Sequence, residues 1–565
     1  MTQELLGILA IYGVTVLLAI PLGRYLATIY LGEKSWSDFM APLERLLFRL
    51  SGIDATRQMN WKQHLVALLT INLVWFVWTM GVLCLQGSLP LNPDGNPSMA
   101  PDLALNTTIS FLVNCNLQHY AGETGLSYLA QLCCIMYLQF VSAATGIAAC
   151  VVVFKALKEG STDKLGNFFS YFVKTLTRVL IPISLVVAAV LVFQGTPMTL
   201  AGKAPLVTVQ GDSTFVSRGP AAAMIAIKEL GTNGGGFFGV NSAHPLENPT
   251  YITNAVENFA LVLIPIALVF ALGYYLKRLR LSYMVFGVMT AGFLLLVVPT
   301  VYYELNGNPA LAQLGADQAL GALEGKEMRL GAAASAYWGI TNTIISCGSV
   351  NSMHDSHMPL SGMCEMLGMM TNAFYGGVGV GILNFFVFAI IAVFIAGLMV
   401  GRTPEFLGKK IEAGEMKIAI IVALLHPLLI LGGTAMAAHL YVGNPTEYAG
   451  WLANPGAHGL SEMLYEYTSS AANNGSGFEG LGDNTPWWNL STGVVLLLAR
   501  YLPIIGPLAI AGRLALKKAV PPSAGTLPTD TATFGAMVFF VIWILAALAF
   551  FPALTLGPLA EHFSL

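Results

Sequence analysis

The sequence predicts an all-α membrane protein with ten transmembrane helices and four pseudo-symmetric repeats, each repeat being two helices around a re-entrant pore loop. Three observations support this fold class: an apolar composition, ten long apolar segments, and four short helical stretches that break at small polar residues. Of the 565 residues, 55% are hydrophobic and only 10% are charged. Soluble domains carry about 25% charged residues, so the surface of this chain is expected to face lipid.

Ten segments are long and apolar enough to span a bilayer, whose hydrocarbon core of about 30 Å requires about 20 residues of helix. They lie at residues 5–23, 65–86, 124–154, 176–200, 256–276, 281–303, 373–401, 418–442, 488–512 and 533–558. Only the ninth carries a charge near its middle, Arg500. Most of the 27 Lys and Arg residues lie in alternate loops. The positive-inside rule then predicts that these loops are cytoplasmic and that both termini are external.

Four external loops each contain a short helical stretch that lies between two full spans and is too short or too polar to span. These stretches lie at residues 102–113, 219–231, 331–345 and 459–472, and we interpret them as re-entrant half-helices. Their nearly constant spacing indicates fourfold pseudosymmetry. The predicted organisation is 1–63 (an extra N-terminal helix and loop), 64–158, 159–279, 280–411 and 412–518 (repeats 1 to 4), and 519–565 (an extra C-terminal helix).

The four half-helices break at related sequences in which small polar residues precede glycine, or asparagine in the first. The breaks read Asn114-Cys115-Asn116, Thr232-Asn233-Gly234-Gly235-Gly236, Ser346-Cys347-Gly348-Ser349 and Asn473-Asn474-Gly475-Ser476-Gly477. Irregular backbone at membrane depth is tolerated where it lines a wet cavity or is buried in protein. Glycine accepts the φ values that turn carbonyls inward, and rings of carbonyls replace the hydration shell of a cation. The breaks therefore predict a monovalent-cation filter. A single glycine run would also fit helix packing.

An acidic residue follows each break: Glu123, Glu247, Asp355 and Glu479. If the chain rises outward after each break, these carboxylates surround the outer mouth and concentrate cations there. Glu247 is the farthest from its break, and we expect it to be an ordinary solvated loop residue. Glu123, Asp355 and Glu479 are the predicted vestibule residues.

Two further features of the sequence invite a functional interpretation. His354, Asp355 and His357 could suggest a zinc enzyme, but a zinc site needs three or four ligands and no third His or Cys is placed to complete the set. We expect these residues to serve the vestibule or loop hydrogen bonding, without zinc. Arg500 lies within a span, where an arginine usually faces a cavity or a partner. We expect its charge to face the pathway below the filter and to oppose leakage; the alternative is snorkelling.

Four stretches carry a close, end-to-end resemblance to the A-subunit family of the Kdp potassium-transporting P-type ATPases. They are GTNGGGFFGVNSAHPLENP at 231–249, SCGSVNSMHDS at 346–356, VFIAGLMVGRTPEFLGKKI at 393–411 and SSAANNGSGF at 469–478. That family belongs to the superfamily of potassium transporters with four such repeats. The resemblance implies potassium as the transported ion. The implied ligating residues, mostly through carbonyls, are Asn114, Cys115, Thr232, Asn233, Ser346, Cys347, Asn473 and Asn474, and the filter is completed by Asn116, Gln118, Gly234, Gly348 and Gly475.

The resemblance also implies a division of labour between subunits. The chain contains no DKTGT phosphorylation motif and no nucleotide-binding loop, so it is expected to bind no nucleotide. In the family a separate P-type subunit (KdpB) hydrolyses ATP, and a single-span C subunit (KdpC) and a small F subunit (KdpF) complete a complex in the bacterial or archaeal plasma (inner) membrane. Arg402 resembles a residue of the family's gating region. The alternatives are a stand-alone channel or symporter of the same superfamily and, from another class, a membrane enzyme that uses the histidine cluster. No nucleic-acid partner is expected.

Overall fold

The computed structural model describes residues 2–401, 403–519, 521 and 527–565. Within these residues ten helices are long and apolar enough to cross a membrane, and every predicted span corresponds to one of them. Numbered in chain order as spans 1 to 10, they are Thr2–Leu31, Trp61–Leu85, Tyr128–Lys158, Phe168–Phe193, Tyr251–Leu276, Leu279–Asn306, Val380–Val400, Ala413–Gly443, Pro486–Leu516 and Ala532–Leu554.

Four shorter helices confirm the predicted half-helices. Numbered as pore helices 1 to 4, they are Pro101–Leu112, Ala221–Leu230, Ala332–Ile345 and Ala457–Ala472. Nearly all of their residues are buried. Pro101 occupies the first turn of pore helix 1, where its missing N–H would have had no partner within the helix. The pore helices therefore lie inside the molecule, surrounded by the spans.

The seventh predicted span is the least accurate, because residues 373–379 are not helical. Asn372, Tyr375, Gly376 and Gly379 all have positive φ, so the chain turns sharply there and span 7 begins at Val380. A helix that the sequence pattern did not predict, Pro359–Thr371, precedes this turn. Glycine permits such turns at no steric cost, and the two glycines explain why an apolar run is interrupted.

The molecule also contains short elements outside the spans and pore helices. Two antiparallel hairpins pair Ala204–Val207 with Ser213–Val216 and Glu405–Phe406 with Lys409–Lys410. The remaining helices and helical turns are Trp36–Met40, Ala41–Ser51, Gln86–Ser88, Gly122–Gly125, Asn241–Ala243, Pro309–Gln313, His354–Ser356, Ala449–Trp451, Thr555–Leu559 and Ala560–His562. Among the residues that the structure describes, the regular secondary structure is thus helical apart from two small hairpins.

Spans 3 and 5 form the interior of the helix assembly, and span 1 packs on its outside. In the most apolar stretch of each helix, 89% of the residues of span 3 and 83% of those of span 5 are buried, compared with 11% for span 1. Span 1 nevertheless approaches span 5 closely, since a Cβ added to Gly23 would lie 2.6 Å from the carbonyl oxygen of Ala267. The apolar surface left exposed on the outer spans is what a lipid environment would cover.

A candidate cation filter and its outer mouth

The four pore helices end in the same backbone conformation, one that is rare for residues with a side chain. Asn114, Thr232, Ser346 and Asn473 have φ values of 64°, 48°, 55° and 52°. Left-handed φ is uncommon for any residue other than glycine, and most unusual for a β-branched one such as Thr232. Strained conformations of this kind persist where the surroundings enforce them, and they cluster at functional sites. The fourfold relation noted in the sequence is therefore also a relation of backbone geometry.

The third position of each break is glycine in three loops and asparagine in the first. Asn116 has φ of 61°, and Gly234 and Gly475 have φ of 116° and 106°. Gly348 is not in the left-handed region. Asparagine thus adopts the conformation expected of it, while the third loop departs from the pattern.

The four breaks, called loops 1 to 4 (residues 114–118, 232–236, 346–349 and 473–477), contact one another in a closed ring. A Cβ on Gly234 would lie 2.7 Å from the carbonyl oxygen of Cys115 and 2.5 Å from the amide nitrogen of Gly348. A Cβ on Gly348 would lie 2.6 Å from the nitrogen of Ser476, and one on Gly475 would overlap the Cys115 carbonyl. Loop 2 therefore contacts loops 1 and 3, and loop 4 contacts loops 3 and 1. No side chain fits at these three glycines without displacing backbone.

Loops 1 and 2 are joined by side-chain amides. Asn114 Nδ2 donates to the carbonyl of Thr232 at 3.0 Å, and Asn233 Nδ2 donates to Asn114 Oδ1 at 2.7 Å. Gln118 donates to the carbonyl of Gly236 at 3.1 Å and accepts from its N–H at 2.8 Å. Asn116 Nδ2 donates to the carbonyl of Gly235 at 3.0 Å. Four of the predicted filter residues therefore join the two loops through their side-chain amides, in addition to any role of their backbone carbonyls. They are Asn114, Asn116, Gln118 and Asn233.

Loops 3 and 4 are held mainly by their surroundings. Ser346 Oγ donates to Asn372 Oδ1 at 2.9 Å, and Asn474 Nδ2 donates to the carbonyl of Asn342 in pore helix 3 at 3.0 Å. Asn473 Nδ2 donates to the carbonyl of Ser470 at 3.2 Å. Cys115 and Cys347, in loops 1 and 3, are fully buried. Asn372 supports loop 3 from the unpredicted turn before span 7, which no motif in the sequence indicated.

The predicted vestibule acids Glu123 and Glu479 contact the segments that follow loops 2 and 3. Glu123 Oε2 accepts from the N–H of Gly239 at 2.8 Å, which ties it to the segment after loop 2. Glu479 Oε2 accepts from the N–H of Asp355 at 3.0 Å. Glu479 is exposed to solvent although protein surrounds it closely. This surrounding protein raises the pKa of the Glu479 carboxyl to about 7, against the opposing effect of its backbone hydrogen bonds.

The expectation for Glu247 is wrong, because this residue is fully buried. It forms an ion pair with Lys228, which is also fully buried. Lys228 belongs to pore helix 2. A charged residue in an external loop is usually solvated. Only the fold reveals that the carboxylate of Glu247 is paired with a buried lysine of the preceding pore helix.

His354 and His357 share Glu365 in a buried polar cluster. His357 Nδ1 lies 2.6 Å and His354 Nδ1 lies 3.5 Å from the Glu365 carboxylate. His354 Nδ1 also lies 2.7 Å from the hydroxyl of Tyr465. Asp355 points elsewhere: it lies 2.9 Å from His458 Nε2. Asp355 therefore does not join the two histidines in one site.

Sequence reasoning missed His458, whose two ring nitrogens both face carboxylates. Nε2 lies 2.9 Å from Asp355 Oδ1, and Nδ1 lies 2.8 Å from Glu561 Oε1. Burial by itself would lower the pKa of His458, but the hydrogen bonds to Asp355 and Glu561 outweigh it and raise the pKa to about 10. The imidazolium therefore links Asp355 to Glu561 in the short helix Ala560–His562.

Arg500 is buried in span 9, within reach of loop 1. Its Nη2 lies 3.5 Å from the carbonyl of Ser142 in span 3, and the hydroxyl of Ser142 donates to Asn114 Oδ1 at 2.8 Å. Snorkelling to the surface does not describe this position, since only 5% of Arg500 is exposed.

Arg402 lies outside the described residues. After it, buried Lys409 donates to the carbonyl of Ala156 at 2.8 Å and to that of Glu159, at the end of span 3.

A mostly apolar cavity of about 90 Å³ lies between spans 7, 8, 9 and 10. Asn372, Ala471, His426 and Phe550 are among the residues that line it. Asn372, which accepts from Ser346 of loop 3, therefore also borders this cavity.

Comparison with known proteins places the chain in a family. Residues 9–563 match the family described as "Potassium-transporting ATPase A subunit". The chain is 65% identical to a protein of Flavobacterium psychrophilum over 576 residues, covering 100% of both chains, and 45% identical to one of Geobacillus kaustophilus over 556 residues, covering 98% of both. Both are named potassium-transporting ATPase potassium-binding subunit.

A solved structure resembles the chain in fold alone. The potassium transporter TrkH of Vibrio parahaemolyticus superposes with a TM-score of 0.51 at 14% sequence identity, covering 88% of this chain and 97% of TrkH. The likeness extends over nearly the whole of both chains and agrees with the fold predicted for the superfamily of potassium transporters. On its sequence, the chain belongs to the family of A subunits of potassium-transporting ATPases.

Proposed function

We propose that this chain binds potassium in the ring formed by loops 1 to 4 and delivers it to a partner subunit that hydrolyses ATP. The observation that carries the proposal is the closed contact of the four loops, each entered through a residue of left-handed φ. Successive carbonyls of such loops can replace the water shell of a cation. The names of the relatives, potassium-binding subunits of potassium-transporting ATPases, supply the ion and the source of energy.

The proposed filter uses backbone carbonyls as ligands and side chains as supports. Residues 64–158, 159–279, 280–411 and 412–518 are the proposed repeats, each contributing one loop. Glycines at the centre allow the loops to approach, and amides between loops 1 and 2 hold their register. The proposed ligating residues are Asn114, Cys115, Thr232, Asn233, Ser346, Cys347, Asn473 and Asn474.

The proposed complex contains this chain, a catalytic P-type subunit (KdpB), a single-span subunit (KdpC) and a small subunit (KdpF), in the plasma membrane of a bacterium or archaeon. Both termini and the outer mouth face outward in this proposal. The ion then leaves the ring sideways, and the cavity between spans 7 to 10 supports such a route. Arg500, buried below loop 1, repels a cation that would otherwise continue straight through the membrane.

The test is potassium-stimulated ATP hydrolysis by the reconstituted complex, with Gly234→Asp compared to the parent. A side chain at Gly234 meets backbone of loops 1 and 3, so we expect the apparent KM for potassium to rise by about tenfold or more. The matched control is Gly450→Asp, because a Cβ at Gly450 meets open space. An unchanged apparent KM in Gly234→Asp would overturn the filter assignment.

A further inference from the structure

Four charged residues form a fully buried cluster directly behind loop 2, which we call the buried ionic cluster. Its members are Lys228, Glu229, Glu247 and Glu257, all with 0% exposure. They come from pore helix 2, the segment after loop 2, and span 5. Burying charges is costly in free energy unless they are paired and hydrogen-bonded. The presence of four buried charged residues beside the filter therefore indicates a structural or functional role.

The cluster is connected through one lysine and one serine. Lys228 Nζ lies 3.1 Å from Glu229 Oε1 and is paired with Glu247. Ser242 Oγ lies 3.5 Å from Lys228 Nζ and donates to Glu257 Oε2 at 2.6 Å. The ammonium therefore draws two carboxylates together directly and reaches the third through a hydroxyl.

The cluster contacts both loop 2 and loop 3. A Cβ on Gly236 would lie 3.2 Å from Cδ of Lys228, so the stem of the lysine packs under loop 2. On the other side, Ser349 Oγ donates to Glu229 Oε1 at 2.6 Å. Ser349 follows Gly348 immediately, and its own carbonyl accepts from Trp338 Nε1 at 2.7 Å. Loop 3 is thus fastened to the cluster by the residue next to its glycine.

The cluster combines three carboxyl groups with one ammonium. One oxygen each of Glu229, Glu247 and Glu257 is buried with no hydrogen-bond donor among the described residues. Electrostatic interactions are stronger in a buried, low-dielectric site than in water. The ion pairs that Lys228 forms with Glu229 and Glu247 are therefore stronger than exposed pairs would be.

We propose that Glu229 and Ser349 are positioning residues that determine the affinity and selectivity of the filter, by holding loop 3 against loop 2. This inference rests on the proposed function. The ionic cluster provides the rigid anchor, and the hydrogen bond from Ser349 to Glu229 transmits its position to the carbonyls around Gly348. Neither residue needs to contact the ion.

The experiment compares Ser349→Ala and Glu229→Gln with the parent in the reconstituted complex, measuring the maximal rate and the apparent KM for potassium, and the ratio of potassium to sodium stimulation. Ser335→Ala is the matched control, since Ser335 is also fully buried but its hydroxyl has no partner among the described residues. We expect both variants to raise the KM for potassium by about tenfold, with a maximal rate within about twofold of the parent. We expect selectivity to fall in both and Ser335→Ala to behave as the parent.

Two outcomes would overturn the inference. The first is an unchanged KM and selectivity in both variants while Gly234→Asp still raises the KM, which leaves the filter assignment intact. The second is a loss of assembled complex and maximal rate with the KM of the remaining complex unchanged, which would indicate a purely structural role. An unchanged KM in Gly234→Asp would instead count against the proposed function itself.

Discussion

Two neighbouring junctions of the same ring are held by different chemistry. Between loops 1 and 2, the neutral side-chain amides of Asn114, Asn116 and Gln118 donate to backbone carbonyls of loop 2. Between loops 2 and 3, the contact passes through Ser349 to a buried carboxylate that is itself paired with Lys228. The first junction has several weak bonds in parallel, and the second depends on a compact group of ions.

This difference predicts how each junction responds to substitution. An amide that loses its partner leaves a buried dipole, at a cost of about 1–3 kcal/mol. A buried ion that loses its partner leaves an uncompensated charge, at a cost of about 3–5 kcal/mol. Removing one amide should therefore cost less stability than removing the ammonium that pairs the buried carboxylates.

The largest effect is expected from Lys228→Met. Removing the ammonium leaves three carboxylates together in the interior, so we expect a loss of about 3–5 kcal/mol of stability and a sharply lower yield of folded protein. Thermal unfolding of the purified complex in detergent measures this effect. Lys417→Met is the control, since Lys417 is exposed. A melting temperature equal to that of the parent would contradict the importance of the cluster.

A smaller effect is expected from Gln118→Ala at the amide junction. The substitution removes two hydrogen bonds to Gly236, and we expect a stability loss of about 1–3 kcal/mol with a several-fold rise in the apparent KM for potassium. The same unfolding and ATPase measurements apply, with Gln210→Ala at an exposed position as control. If Gln118→Ala were as damaging as Lys228→Met, the contrast between the two junctions would not hold.

The smallest effect is expected at the outer mouth, where Glu479 titrates near neutrality. A carboxyl whose pKa is raised to about 7 is mostly neutral at pH 6 and mostly ionised at pH 8. Negative charge at the mouth concentrates cations, so the apparent KM for potassium should fall by about twofold as the pH rises through 7. Glu479→Gln should remove this part of the pH dependence. The same pH dependence in variant and parent would exclude Glu479 as its source.

Much of the fold could be predicted because it depends on local patterns. An apolar run of sufficient length is a span wherever it lies, and a half-helix that ends in small polar residues and glycine breaks there. Residues 373–379 were mispredicted because their apolar character outweighed the three glycines in the pattern. The helix Pro359–Thr371 carries four methionines and polar residues together, and no periodicity distinguished it from a loop.

The supporting side chains could not be predicted in the same way. Glu247 looks like a solvated loop acid until Lys228 and Glu257 are brought around it. Asn372 and His458 carry no motif, and their roles depend on loop 3 and on Asp355, which are distant in sequence.

The sequence by itself determined the ten spans, the four breaks, the glycine or asparagine at the third position of each break, and the family to which the chain belongs. These features follow from hydrophobicity and backbone freedom, which are properties of short segments. Only the tertiary structure decided which loops touch, that amides hold one junction and buried ions the next, and which charges are hidden. Pairing and burial are relations between segments that are distant in sequence. A hydrogen bond or an ion pair can be assigned only when the tertiary structure brings both partners within bonding distance.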